Sequence, residues 1–337
     1  MHFHRRREFD LPADRITDEK AWATRRAFLK GLGLGGLALA ASRTLPSLAR
    51  AAGALDEAAL ARTIEITRSR PLAALHPARR DDAFAVQREL TDEMVAARYN
   101  NYYEFSPRKS EVWRRARDFQ PWPWEIEVTG HAERTGRFDL EKLIRDLGVE
   151  ERVYRFRCVE AWAMTVPWTG VPLSRLLQRF GPTSRARFVR FLSFDRPAQA
   201  PGQEEQDWYP WPYYEALHIR EAMNELSLAA VGIYGHPLPN QHGAPLRIVV
   251  PWKYGYKGAK GVVRIDLVEE KPATFWNDLA PDEYGFLSNV DPGVPHPRWS
   301  QATERLIGTD EEVPTRLFNG YGKWVARLYP EQAGKAE

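Results

Sequence analysis

The chain has 337 residues, 43% of them hydrophobic and 28% charged, which suits a large folded domain and excludes a disordered polypeptide. A single cysteine excludes an intramolecular disulfide and a zinc site of several thiolates, and no apolar run reaches the roughly 20 residues of a membrane span. The net charge of +3 sits at the front, where residues 1–51 carry ten Lys/Arg against five Asp/Glu; the remainder is slightly acidic and lacks the basic footprint of a nucleic-acid binder.

Thr24-Arg25-Arg26-Ala27-Phe28-Leu29-Lys30 leads into eleven small or apolar residues, Gly31 to Ala41, and then to an A-x-A-like site at Ala49-Arg50-Ala51. Paired arginines before a weakly apolar, Gly-rich stretch resemble a twin-arginine export signal, so residues 1–51 are expected to direct a folded protein to the periplasm. Export in the folded state suits a protein that takes up its cofactor beforehand. The mature chain then reads as an N-terminal helical arm (52–90), a main domain (91–328) and a short tail (329–337).

Leu55 to Arg70 has loosely helical apolar spacing and stops at Arg70-Pro71. Glu125 to Val128 alternates as a strand ending at Gly130, and Asp139 to Leu147 reads as a helix with Asp139 as N-cap and Gly148 beyond its end. Val153 to Cys158 alternates again, and Pro172 to Phe180 reads as a helix stopped by Gly181. Further strands are expected at Arg187–Asp195, Ser227–Tyr234, Leu246–Trp252 and Gly261–Val268, with a Pro-rich surface loop at Ala198–Pro212. Without a regular βαβ rhythm, the class is α+β with mixed sheets.

The strand period places Tyr154, Phe156, Cys158 and Glu160 on one face, with Arg155 and Arg157 pointing the other way. A thiol at the end of an aromatic face beside a carboxylate is either a buried structural cysteine or a soft metal ligand. Lys253, Lys257 and Lys260 lie among Gly255, Gly258 and Gly261, a pattern that reads either as a solvated turn or as an anion cradle. Copper would need two histidines and an axial ligand such as Met164 beside Cys158, and no histidine pair has metal-ligand spacing. A non-catalytic reading has Trp113, Trp122, Trp124, Trp208 and Trp211 form a ligand platform over an inert cysteine.

Arg157-Cys158-Val159-Glu160-Ala161-Trp162 followed by Val166-Pro167-Trp168-Thr169-Gly170 resembles the cofactor-ligand motif of the sulfite-oxidase-type molybdenum enzymes. Tyr99-Asn100-Asn101-Tyr102-Tyr103-Glu104-Phe105, Asn240-Gln241-His242-Gly243-Ala244-Pro245, Pro251-Trp252-Lys253-Tyr254-Gly255-Tyr256-Lys257-Gly258, and the tail from Trp276 to Arg305 carry the same likeness. It spans about residues 91–328, and it is narrowest toward the branch of that family acting on methionine sulfoxide in proteins.

The resemblance implies a mixed-sheet molybdopterin-binding domain of the sulfite oxidase type, with one molybdenum–molybdopterin per chain and Cys158 as the metal ligand. It implies cofactor contacts at Asn100, Tyr103, Glu104, Ser193, His242, Arg247, Gly258, Ala259 and Lys260, and places Glu160 and Asn101 near the metal as catalytic residues. Ser193 and His242 stand where threonine and asparagine are frequent in the family. The chain has no haem or iron–sulfur motif of its own. The resemblance therefore implies a haem-containing, quinol-linked membrane subunit as electron donor, oxidised periplasmic proteins as substrates, and a monomeric catalytic subunit. Sulfite, or small S- and N-oxides, are the alternative substrates.

Overall fold

The computed structural model describes residues 45–333. Of the export signal expected over residues 1–51, residues 1–44 lie outside them, while Ala49-Arg50-Ala51 falls within the helix Leu45–Glu65. The chain divides into compact units at residues 1–55 and 56–337. Of the first, only the helical backbone of residues 45–55 is described. In the second, residues 56–90 contribute the buried side chains Leu60, Leu72 and Phe84, and among the described residues no helix is long and apolar enough to cross a membrane.

The second unit is α+β, with strands β1 (Glu125–Gly130), β2 (Gly136–Asp139), β3 (Glu150–Arg157), β4 (Trp162–Pro172), β5 (Phe188–Ser193) and β6 (Tyr214–His218). After these come β7 (Leu228–Ile233), β8 (His236–Pro237), β9 (Arg247–Val249), β10 (Val262–Val268), β11 (Thr303–Leu306) and β12 (Glu312–Pro314). One sheet has the order β2-β1-β10-β5-β6, antiparallel except for the β1–β10 pair. The other runs β12-β11-β4-β7-β8, with β3 beside β4 and β9 beside β7, and only β11–β4 is parallel. Mixed pairing in both sheets is what the irregular strand order predicts.

Local signals set the element ends. Asp139 caps the helix Leu140–Leu147 by accepting from the Lys142 N–H at 2.8 Å, and Gly148 leaves it at φ +68°. Gly181 ends the helix Leu173–Phe180 at φ +69°, a conformation that costs glycine little. The strand expected over Leu246–Trp252 shortens to β9. The Pro-rich stretch is only partly a surface loop, since Pro201–Glu205 is helical and Gly202, Gln203 and Gln206 are buried.

β4 shows no alternation because all eleven of its residues are buried. It pairs with β3 from Ala163 to Gly170, and with β11 and β7 at its two ends. The β3–β4 hairpin closes through Cys158–Ala161, with the Cys158 N–H on the Trp162 carbonyl at 2.9 Å and Ala161 at φ +60°. This corrects the expected strand face. β3 stops at Arg157, so Cys158 and Glu160 meet through a tight turn and not through strand period.

Candidate active site

Cys158 stands in a cleft of about 960 Å³ between that turn, the Tyr99–Glu104 segment, the His242–Arg247 segment and the Gly255–Lys260 loop. Of the residues expected at the site, Asn100, Asn101, Tyr103, Glu104, Cys158, Glu160, His242, Arg247 and Lys260 line it. Ser193, Gly258 and Ala259 are not among the lining residues. Ser193 is buried at the end of β5, and the Ala259 carbonyl accepts from the Ile248 N–H at 2.9 Å. Gly258 runs so close to the Ile248 carbonyl that no side chain would fit there.

The sulfur is surrounded by donors. The Asn101 amide donates to Sγ at 3.3 Å and to Glu160 at 3.1 Å, and the Glu160 backbone N–H points at Sγ from 3.5 Å. Glu160 also accepts from the Trp162 indole at 3.1 Å and pairs with Lys109 at 2.8 Å. Burial alone would raise the Glu160 carboxyl, but Lys109 and these hydrogen bonds outweigh it and hold the group below the ordinary carboxylate range. Burial, and then the Glu160 charge, push the Cys158 thiol up to about 12. A bound metal cation reverses that preference, because coordination stabilises the thiolate directly.

Deeper in the cleft the charges are poorly solvated. Burial lowers Arg247 to about 10, and lowers His242 to about 3 with help from the Arg247 and His236 charges, so the imidazole is neutral. Burial raises Glu104 to about 7 and lowers Lys260 to about 8, each charge partly countering the other's shift. Among the lining residues, His242 Nε2, Arg247 Nε and Asn101 Oδ1 are buried with no hydrogen-bond partner among the described residues. Orphaned donors and acceptors of this kind, beside two cations, fit a polar, anionic guest such as a pterin with a phosphate tail.

The three-lysine cradle needs correction. Lys253 pairs with Glu221 at 2.6 Å and reaches Asn289 at 2.8 Å, while Lys257 pairs with Glu215 at 2.5 Å. Both are consumed in buried ion pairs that anchor the loop, which leaves Lys260 to face the cleft. The aromatic platform falls as well: Trp113 and Trp124 are buried, and of its five members Trp208 alone is widely exposed. Among the described residues no cluster of three or more His, Cys, Asp or Glu is arranged to hold a metal ion, so the copper alternative gains no support.

Sequence reasoning missed Lys109 and the mouth of the cleft. The mouth is a depression of about 950 Å³ that Tyr99, Tyr209, Trp276, Tyr284, Trp299, Arg298 and Arg305 line together with Lys109 and Glu160. The likeness quoted above covered Trp276, Arg298, Trp299 and Arg305, but no spacing rule assigned them a place.

Residues 114–276 match the family model described as the oxidoreductase molybdopterin binding domain. The chain is 54% identical to the protein-methionine-sulfoxide reductase catalytic subunit MsrP of Gluconobacter oxydans over 68% of this chain and 76% of that one. It is 44% identical to the MsrP of Burkholderia mallei over 95% of this chain and 93% of that one. For the MsrP of Xanthomonas campestris the identity is 49%, over 77% and 82% of the two chains. Among solved structures, the sulfane dehydrogenase SoxCD of Paracoccus pantotrophus aligns at a TM-score of 0.42 and 16% identity, over 56% of this chain and 46% of that one. With relatives at this identity matched over most of their length, the chain belongs to the MsrP family of molybdopterin-binding oxidoreductases.

Proposed function

We propose that this chain reduces methionine sulfoxide in periplasmic proteins to methionine, with a molybdenum–molybdopterin seated at Cys158. Its electrons come from a haem-containing, quinol-linked membrane subunit, and it works as a monomeric catalytic subunit after twin-arginine export. The observation that carries the reading is the lone cysteine in a cleft of unpaired buried polar groups, in a chain whose relatives bear that activity in their names. Molybdenum bound by the pterin and Cys158 would supply oxygen-atom acceptance and two-electron chemistry.

The chain's own residues do the rest. Asn101 and the Glu160 N–H hold the sulfur, and His242, Arg247 and Lys260 offer the pterin hydrogen bonds and charge. The aromatic mouth receives the oxidised side chain. Reduction of the sulfoxide consumes two electrons and two protons and releases water. Arg155 and Arg157, the arginines nearest Cys158 in sequence, do not line the cleft. Arg157 is instead bonded inside the fold to Glu304 at 3.0 Å.

The test is metal and pterin content of wild type beside Cys158→Ala, with turnover on an oxidised protein and on sulfite. Near one molybdenum per chain, lost or altered in the variant, with turnover of the oxidised protein, is the expected result. Metal-free folded protein, or tight sulfite turnover without activity on oxidised protein, would overturn it.

A further inference from the structure

The turn that carries Cys158 is held from outside the hairpin. The Val159 carbonyl accepts two hydrogen bonds, from the Trp299 indole and the Gln301 amide, both at 2.7 Å. The Ala161 carbonyl accepts from the Arg305 N–H at 2.9 Å, and the Cys158 carbonyl accepts from the Arg157 guanidinium. Gln301 is buried with both ends engaged, its Oε1 accepting from Arg157 at 2.8 Å. That contact fixes which end of the amide faces Val159, since only the NH₂ end can donate to a carbonyl.

The Val159 carbonyl and the Glu160 N–H belong to one peptide unit. The unit is planar and trans, so its oxygen and its hydrogen point in opposite directions. Gripping the oxygen with two donors therefore aims the N–H, and that N–H lies 3.5 Å from Cys158 Sγ. Accepting two hydrogen bonds at the oxygen also polarises the unit and strengthens its N–H as a donor. Donors to a metal-bound sulfur draw electron density from it, and such contacts tune the potential of the metal.

We infer that Trp299 and Gln301 are positioning residues for the metal ligand: by holding the Val159 carbonyl they aim the Glu160 N–H at the Cys158 sulfur and set its electron density. The inference rests on the proposed seat of the metal at Cys158, and it is tested by two readouts that separate the two claims. Wild type, Trp299→Phe and Gln301→Met are compared with Tyr154→Phe. That control removes a buried hydrogen bond to the Leu226 carbonyl toward the other end of β3.

In metal-loaded full-length protein, the sulfur-to-metal charge-transfer absorption should move and the midpoint potential should fall in both clamp variants but not in Tyr154→Phe. In any protein purified without metal, alkylation of the lone cysteine by iodoacetamide reports the turn directly. Cys158 is buried, so its alkylation waits on opening of the turn, and loss of one grip should speed it about fivefold in Trp299→Phe and about tenfold in Gln301→Met, which loses both amide contacts; this gain in access outweighs the slowing that loss of the N–H donor alone would bring. If Gln301→Met does not fold, Trp299→Phe decides.

Unmoved absorption and potential in loaded protein, or equal alkylation rates in metal-free protein, would overturn the clamp. Equal effects in Tyr154→Phe would do so too, because general loosening would then account for them. Metal-free protein whose clamp variants alkylate faster would retire the metal reading and leave the clamp standing.

Discussion

Glu304→Ala tests how the cysteine turn is braced. The Arg157 side chain is 0% exposed and Glu304 2%, with their charged atoms 3.0 Å apart, and the second Glu304 oxygen takes Arg88 at 2.7 Å. Removing one partner of a buried ion pair costs about 3–5 kcal/mol, mostly because the surviving charge is stranded. Here Arg157 keeps Gln301 at 2.8 Å, Thr303 and Thr315 at 3.2 Å, and the Cys158 carbonyl. Those neutral acceptors place the cost near the low end, about 3 kcal/mol. With unfolding entropy near 2 cal/mol/K per residue, that is a fall in Tm of about 5 °C for a unit of this size. Thermal unfolding followed by tryptophan fluorescence reads it. The conservative Glu304→Gln should lose less than Glu304→Ala, since its amide oxygen can still accept from one of the two arginines. A Glu304→Ala variant within about 1 °C of wild type, or a Glu304→Gln variant as unstable as Glu304→Ala, would refute the argument.

Asp139→Ala should cost about 1 kcal/mol by removing the N-cap of the helix Leu140–Leu147, seen as a Tm lower by about 2 °C. Gly255→Ala would place a methyl group 2.5 Å from the Phe156 ring, so it should displace the loop that bears Lys260 and reduce bound pterin per chain, measured by pterin fluorescence after release. Burial raises Glu104 to about 7, above its unfolded value of 4.5, so the folded state holds the proton that the unfolded state releases. Its contribution is therefore greatest below pH 4.5 and is lost as pH rises through 7. Denaturant midpoints of Glu104→Gln should lack that decline, and a variant with the wild-type slope between these pH values would refute it.

Much of the cleft was legible because motifs brought its residues to notice together: Asn100 and Asn101 with Tyr103 and Glu104, Cys158 with Glu160, and His242 with Arg247 all line it. Their roles toward the cofactor came from family likeness, not from spacing. The route from Cys158 to Glu160 was misread because period-2 reasoning presumes that a strand continues, and Ala161 at φ +60° turns the chain instead.

Sequence by itself determined the composition class, the mixed α+β character, and the helix ends at Asp139, Gly148 and Gly181, because caps act on neighbours within one turn. It also singled out the cysteine, there being only one. Tertiary structure alone decided where β4 runs, since a strand buried on both faces carries no alternation to read. It alone decided that Lys253 and Lys257 answer Glu221 and Glu215 while Lys260 faces the cleft. It alone brought Trp299 and Gln301 onto the Val159 carbonyl, about 140 residues away in the chain. Charge pairing and hydrogen bonding depend on distance in space, and only the closed sheets bring these residues within it.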